Sequence, residues 1–226
     1  MINDPGTARP RITLAWAQGL DGSIAAAPGL RTALSGPESL RMTHGLRASH
    51  EGILVGIGTV LADDPTLTVR FAEGPDPRPI VLDAALRMPP GSRLMTRPYA
   101  GPGSRPILVT ARGANPAGRG ALEALGAEII EVGCTVRGSL DLAELLEKLV
   151  AMNIASVMVE GGARVLAAFI SARLVDRVVI TIAPRILPGG LNPFQSGPGA
   201  ACLIAGLGIE RLGDDLCLSG RPTWPD

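Results

Sequence analysis

Short apolar runs separated by amphipathic stretches dominate the hydrophobic pattern of the chain. Short apolar runs bounded by turn residues favour buried strands, whereas apolar residues that recur every three or four positions indicate helices. The pattern predicts strands at 11–17, 52–56, 79–83, 107–110, 128–132, 157–159 and 176–182, and two more around 202–204 and 216–218. It predicts helices at 37–49, 117–125 and 140–152, a short helix within 56–70, and another that starts at the glycines 161–162.

The order of these elements predicts the fold class. Strands that alternate with helices and lead into a strand-rich tail favour an α/β protein with a mostly parallel sheet and antiparallel C-terminal strands. The segment 88–106, rich in Gly, Pro and Arg, is predicted to be a long loop. A chain of 226 residues suits one sizeable domain. We therefore expect a single domain over 1–226, with 1–10 as a flexible N-terminal arm.

Composition narrows the classes of function. Lys plus Arg and Asp plus Glu both number 21, which argues against nucleic-acid or membrane-surface binding. No apolar run approaches the roughly 18 residues of a membrane span, and the N-terminus lacks a signal-peptide pattern. The three cysteines are far apart and the two histidines belong to no cluster, so neither a disulfide framework nor a metal site is expected. A reducing cytoplasm is the predicted compartment.

The run VMVEGGARVLAAFI, residues 157–170, is the centre of the chemical prediction. Gly161 and Gly162 separate a buried strand from a helix, so backbone without Cβ atoms is open to a ligand. The first amides of that helix favour an anion. Glu160 places an ionisable side chain at the end of the strand, where α/β sheets often bind ligands. The alternative is a tight strand-to-helix turn with no ligand.

A second glycine-rich stretch, GIGTVLADDP, starts at Gly56. It lacks the third small residue of a dinucleotide fingerprint, since that position is Leu61. Its backbone amides could still contact phosphate. Thr59 and Asp63 lie four apart on one helical face and could hold a ribose and pyrophosphate. The alternative is a capped helix with a solvated acidic end.

Basic side chains form the third candidate group. Arg31, Arg47 and Arg70 each offer a planar fork that matches phosphate oxygens. Ordinary surface arginines are the alternative. His44 and His50 have no evident nucleophile partner and are predicted to be structural.

Taken together, ILVGIGTVLADDPTLTVR, VMVEGGARVLAAFI and VITIAPRILPGG resemble the pyrimidine reductases of riboflavin biosynthesis, from about Arg11 to the C-terminus. These enzymes occur alone or as the C-terminal half of bifunctional deaminase-reductases. The resemblance implies a dihydrofolate-reductase-like three-layer fold, NADPH as coenzyme, a phosphoribosylamino-pyrimidine as substrate and a homodimer formed through the C-terminal strands. The zinc-deaminase signature is absent from the sequence.

The resemblance also implies roles for individual residues. Glu160 would orient the pyrimidine, and Asp63 would sit at the coenzyme and influence protonation. Either Arg87 or Arg112 would meet the coenzyme 2′-phosphate. The implied coenzyme-binding residues are Ala17, Gly56, Gly58, Thr59, Asp63, Gly161, Gly162, Ala163, Arg164, Val165 and Leu166. The implied substrate-binding residues are Arg31, Arg47, Leu67, Arg70 and Glu160.

The sequence departs from the family pattern at three positions. Arg31 replaces a serine on the substrate side, Ala33 replaces a tryptophan on the nicotinamide side, and Ala84 replaces a serine on the adenosine side. The changes at Arg31 and Ala33 leave open a reductase of a dihydropterin or related heterocycle. A non-catalytic nucleotide-binding protein is a further alternative.

Overall fold

The computed structural model describes residues 9–136, 138–194 and 201–225, which form nine strands and six helices. The strands are β1 (Arg11–Gln18), β2 (Gly52–Gly56), β3 (Arg78–Leu82), β4 (Ile107–Ala111), β5 (Glu128–Val132), β6 (Ser156–Gly161), β7 (Arg177–Ile182), β8 (Leu203–Leu212) and β9 (Asp215–Thr223). The helices are α1 (Pro37–Ala48), α2 (Ile57–Asp63), α3 (Arg93–Thr96), α4 (Pro116–Ala124), α5 (Leu142–Ala151) and α6 (Ala163–Ser171), with a one-turn 3-10 helix at Pro102–Ser104.

All nine strands form one sheet in the order β5-β4-β3-β2-β6-β1-β7-β9-β8. Every pair from β5 to β7 is parallel, whereas β7–β9 and β8–β9 are antiparallel. This arrangement confirms the predicted fold class. The central strands β2, β6 and β1 end at the same edge of the sheet, because parallel strands point the same way.

Helices cover both faces of the sheet, which gives the three layers. On one face, α5 and α6 contribute Leu145, Leu149 and Phe169 to a cluster with the inward residues of β1 and β6. On the other face, α2, α3 and α4 pack against Ile53 and its neighbours. The strands bury both faces because they carry continuous apolar runs rather than an alternating pattern.

Two predicted segments were wrong in detail. The expected loop 88–106 contains α3, which buries Leu94 and Met95, and the 3-10 helix. The sequence did not show α3 because a helix of four residues is too short to display a helical period. The two C-terminal strands are ten and nine residues long, and Cys202 lies outside them. Glycines at 206 and 208 made the longer strand hard to recognise, because glycine is uncommon within strands.

The N-terminal arm is held at its inner end. Arg9 donates two hydrogen bonds of 2.7 Å to the Asp176 carboxylate, and Asp176 Oδ2 also accepts the amide of Ile12. Residues 1–8 of the predicted arm lie outside the described residues. No helix in the described ranges combines the length and the apolar character that a membrane span requires.

Candidate active site

The bend between β6 and α6 is shaped by its two glycines. Gly161 has a φ of 93° and Gly162 a φ of 78°, a region that residues with a Cβ adopt only with strain. A Cβ on Gly161 would lie 2.9 Å from Leu166 Cγ, and one on Gly162 would lie 3.1 Å from Thr59 Oγ1. The strand runs two residues further than the sequence predicted, so that Glu160 and Gly161 are its last members. The bend therefore needs glycine for both its conformation and its packing.

The bend between β2 and α2 lies directly beside it. Thr59 Oγ1 donates to the carbonyl of Gly161 at 3.3 Å, and a Cβ on Gly56 would lie 2.9 Å from Val165 Cγ2. Helix α2 starts at Ile57, so Gly58 belongs to the helix and not to the expected glycine turn. The two bends are about a hundred residues apart in sequence but contact each other at the same edge of the sheet.

The N-terminus of α6 presents backbone to this place. Within the described residues, no side chain caps the helix at Gly162. Val165 and Leu166 are buried in the core, and their amides donate to the Gly162 carbonyl at 3.0 and 3.1 Å, whereas Ala163 and Arg164 are more accessible. Ala17 lies near the end of β1, the neighbour of β6 in the sheet. The uncapped amides and the helix dipole favour an anionic group here.

Glu160 connects the glycine bend to the basic residues. Its two carboxylate oxygens each accept a hydrogen bond of 2.6 Å, from Nε and Nη2 of Arg47. Both side chains are largely buried, at 12% and 16% exposed. Arg47 Nη1 also donates to the Thr68 carbonyl at 2.9 Å. This planar two-bond pairing fixes the carboxylate next to Gly161 and fixes Arg47 beside the chain around Thr68.

The arginines converge on one positive region. Burial lowers the pKa of the Arg70 guanidinium, and the charges of Arg47, Arg31 and Arg93 lower it further. Like charges held this close repel one another, and an anion placed among them would relieve that repulsion. This desolvation is partial, because Arg70 is an exposed residue; its Nη1 donates to the hydroxyls of Thr66 and Thr68 at 2.7 and 3.0 Å. The charges of Arg31, Arg47 and Arg93 thus act on Arg70, and of these Arg93 was not among the predicted residues.

Leu67 lies in the same loop, but its side chain packs in the core and is not available to contact a substrate. Its side chain is 3% exposed and packs in the cluster with Ile53 and Val60, and its φ is 53°. The residue is buried as a whole, so it shapes the loop and does not present a surface to a ligand. The left-handed residue turns the chain so that Thr68 and Arg70 face α1.

Asp63 is the last residue of α2, the helix that begins at the Gly56 bend, and the Arg31 charge acts on it. Burial raises the pKa of its carboxyl, and the nearby Arg31 charge acts in the opposite direction. Its Oδ1 is buried and, among the described residues, has no hydrogen-bond partner. A buried acceptor without a partner is costly unless a ligand or water supplies the missing donor.

Sequence reasoning missed two residues of this region. Arg93 starts α3 in the segment predicted to be a loop, and its amide donates to Asp64 Oδ1 at 2.8 Å. His44, predicted to be structural, accepts the backbone amide of Arg70 at 2.9 Å. The sequence did contain a signal for His44, because His44 and Arg47 are three residues apart and so lie on one face of α1.

The two candidates for the coenzyme 2′-phosphate differ in their contacts. Arg112 is paired with Glu144 of α5. Arg87 is 59% exposed and lies 4.0 Å from the buried carboxylate of Asp83, just after β3, the strand next to β2.

The sheet, its two helical layers and the touching bends define an α/β protein of the dihydrofolate reductase fold. Dihydrofolate reductase from Enterococcus faecalis superimposes with a TM-score of 0.53 at 14% identity, over 94% of this chain and 96% of that chain. At that identity the likeness concerns the fold alone.

Sequence comparison then gives the particular family. The profile of the RibD C-terminal domain matches residues 10–218, and the chain belongs to that family. The 2,5-diamino-6-ribosylamino-4(3H)-pyrimidinone 5′-phosphate reductase of Eremothecium gossypii is 40% identical over 196 residues, covering 81% of this chain and 77% of that protein. The reductase of the same name from Methanothermobacter thermautotrophicus is 36% identical over 219 residues, covering 96% and 93%.

A solved structure of Acinetobacter baumannii RibD superimposes with a TM-score of 0.80 at 25% identity. The match covers 96% of this chain but 59% of that one, so the chain spans a little over half the length of this relative.

Proposed function

We propose that the chain is an NADPH-dependent reductase that converts the ribosylamino group of a 5-phosphorylated pyrimidine into a ribitylamino group. Two relatives that this chain covers over 77% and 93% of their length are named as reductases of such a pyrimidinone phosphate. The observation that carries the proposal is the position of Glu160. It directly precedes the glycine bend and is bonded to Arg47 of the positive region, so a coenzyme site and a substrate site adjoin at one residue.

The bends suit the pyrophosphate of a dinucleotide. Gly161 and Gly162 keep the bend tight against Leu166 and Thr59, and the helix that follows is uncapped within the described part of the chain. Gly56, Gly58 and Thr59 would contact the coenzyme from the α2 side. Ala163 and Arg164 would contact it from the α6 side through backbone amides, since the amides of Val165 and Leu166 already donate to the Gly162 carbonyl. Ala17 would contribute backbone at the end of β1. When bound, NADPH would supply hydride for the reduction.

The arginines suit the phosphate of the substrate. Arg70 and Arg31 would bind its oxygens, while Arg47 would fix the backbone of the loop and the position of Glu160. Leu67, which is buried as a whole residue and has a φ of 53°, would act by setting the course of the loop that carries Arg70. Each Glu160 oxygen keeps a free lone pair after its bond to Arg47, so the carboxylate can still accept an N–H of the pyrimidine.

The proposed reduction depends more on the positioning of the substrate next to the coenzyme than on a strong acid. Opening of the ribose ring converts the ribosylamino group into an imine at C1′. Hydride adds to that carbon and a proton to the imine nitrogen. Glu160 would orient the pyrimidine ring for this addition. Asp63, whose pKa is raised by burial, holds a proton at higher pH than an exposed carboxyl does.

The test is turnover with purified protein. NADPH oxidation is followed at saturating coenzyme with the diamino and the amino-oxo pyrimidine phosphates side by side, and with a dihydropterin as the control substrate. We expect oxidation with at least one pyrimidine phosphate and none with the pterin. Turnover of the pterin alone would contradict the proposal. Unchanged NADPH fluorescence on titration would instead indicate a non-catalytic protein.

We also propose that the protein is a homodimer joined through β8. This strand is the edge of the sheet, and Leu203, Leu207 and Ile209 are 69%, 50% and 66% exposed. A long apolar edge strand with open backbone groups favours pairing with a second copy. Ile209→Lys should shift the mass measured by light scattering from dimer to monomer. A monomeric parent protein would contradict this proposal.

The predicted cytoplasmic location remains a proposal as well. All three cysteines are unpaired thiols, which suits a reducing compartment. Fractionation of the native host would test it.

A further inference from the structure

His44 is a buried histidine next to the positive region. Its side chain is 2% exposed, and it lies one turn before Arg47 on α1. Its Nδ1 accepts the backbone amide of Arg70 at 2.9 Å, and its ring stands edge-on to Phe71 at 4.8 Å between centroids. Because Nδ1 accepts, the proton of the neutral ring is on Nε2.

Helix α1 therefore holds the Arg70 loop, defined as residues 65–71, at two points. Arg47 Nη1 donates to the carbonyl of Thr68, and His44 Nδ1 accepts the amide of Arg70. Asp76 provides a third attachment by accepting the amide of Val69 at 2.7 Å. The His44 bond is the one that falls on the backbone of Arg70 itself.

We propose that His44 is a positioning residue, whose neutral imidazole holds the Arg70 backbone so that the guanidinium faces the substrate phosphate. The inference rests on the proposed function for its ligand but not for its geometry. The acceptor must be neutral, because a protonated ring has a donor at both nitrogens and cannot bind the Arg70 amide. Protonation would also add a charge to a region that already repels cations.

The surroundings keep the ring neutral. The charged groups that face it are Arg47 on the same helix, Arg70 and Asp76 on the loop side, and Glu160 at the end of β6. Burial and the two arginines lower the pKa of His44 to about 4, and the two carboxylates oppose this only in part. The acceptor state is therefore present throughout the neutral pH range.

Two variants separate positioning from packing. In His44→Asn the side-chain oxygen can occupy the place of Nδ1 and cannot be protonated, whereas His44→Leu keeps apolar bulk and has no acceptor. His50→Gln is the matched control: His50 is also buried beside α1, but its Nε2 accepts from the Thr13 hydroxyl at 2.8 Å, away from the loop.

The first readout is kinetic. His44→Leu should raise KM for the phosphorylated pyrimidine about tenfold, the effect of losing one hydrogen bond that orients a charged contact. We expect kcat and KM for NADPH to stay within about twofold of wild type, a change worth less than 0.5 kcal/mol. His44→Asn should restore KM and His50→Gln should leave it unchanged. The proposal would be overturned if His44→Leu lowered kcat by as large a factor as it raised KM for the pyrimidine, or if His44→Asn failed to restore KM.

The second readout does not depend on turnover. Hydrogen exchange of the Arg70 amide should be slow in wild type and His44→Asn and fast in His44→Leu. The amide NMR signal of Arg70 should titrate with a midpoint near the His44 pKa of about 4 in wild type and not in His44→Asn. If no pyrimidine is reduced, calorimetric affinity for ribose 5-phosphate replaces KM, so the proposed function can fail while the role of His44 is still decided. If the exchange rate of the Arg70 amide were the same in wild type, His44→Asn and His44→Leu, that role would be contradicted.

Discussion

The two halves of the candidate site are built in opposite ways. The half proposed for the coenzyme, at Gly56 and at Gly161–Gly162, depends on the absence of side chains: added Cβ atoms would lie 2.9 to 3.1 Å from neighbouring atoms. The half proposed for the substrate depends on side chains that are present: Arg70, on which the charges of three further arginines act, and a carboxylate bonded to Arg47. Glu160 belongs to both halves, because it ends β6 and pairs with Arg47.

This difference predicts how each half fails. Adding atoms should harm the coenzyme half and leave the substrate half intact, since the bend has no spare volume. Removing charge should harm the substrate half and leave the coenzyme half intact. Substitutions chosen on this basis can separate the halves.

The largest expected effect is that of Gly162→Ala. The φ of 78° and the contact with Thr59 Oγ1 make a Cβ unfavourable in both conformation and space. We expect NADPH affinity to fall more than tenfold and stability to fall by about 1–3 kcal/mol, because a φ of 78° with a ψ of 147° is a conformation that essentially only glycine adopts. Fluorescence titration measures the affinity, and chemical unfolding measures the stability.

Gly138→Ala is the control for strain. Gly138 has a φ of 77°, and nothing among the described residues lies within 4 Å of its added Cβ. It should lose similar stability and keep NADPH affinity. Equal losses of affinity in both variants would show that the bend acts only through overall stability.

Next in size is Arg70→Ala. Loss of a charge-assisted contact to phosphate is worth about 1.5–3 kcal/mol, so KM for the phosphorylated pyrimidine should rise roughly 10- to 100-fold. KM for NADPH should not change. Arg41→Ala, on the exposed side of α1 and paired with Glu38, is the matched control. Unaltered kinetics in Arg70→Ala would remove the phosphate role.

Glu160→Gln tests the residue that joins the halves. Gln keeps one acceptor but removes the charge, so Arg47 is left a largely buried cation without its partner. We expect the free energy of unfolding to fall by about 2 kcal/mol, below the 3–5 kcal/mol for fully buried pairs. Inorganic phosphate should bind more tightly to the freed arginine while pyrimidine turnover falls. Weaker phosphate binding would contradict the pairing.

The smallest effect concerns acid stability. The folded pKa of His44 is lowered to about 4 from 6.5, so the folded state binds fewer protons than the unfolded state between these values. Stability is therefore complete above pH 6.5 and is lost as pH falls towards 4. Urea unfolding from pH 7 to 4 should show a shallower decline for His44→Asn, and parallel curves would contradict the shift.

The fold and part of the site could be predicted from the sequence for identifiable reasons. Apolar runs such as GILVG mark central strands directly, and VMVEGGARV contains both the strand end and the bend. The pairing of Arg47 with Glu160 could not be predicted from local pattern, because the residues are 113 positions apart and on different elements. Arg93 escaped notice since its four-residue helix is too short for a helical period. The contact of His44 could not be predicted because its partner is a backbone amide; the sequence shows only that His44 and Arg47 share a face of α1.

The most direct test of the account is a hydrogen-exchange footprint taken with NADPH alone and with ribose 5-phosphate alone. We expect NADPH to slow exchange at the amides of 57–60 and 163–164 together, and ribose 5-phosphate to slow exchange at 67–71. Protection by NADPH at only one of the two bends, or at neither, would contradict the claim that they form a single coenzyme site beside the arginines.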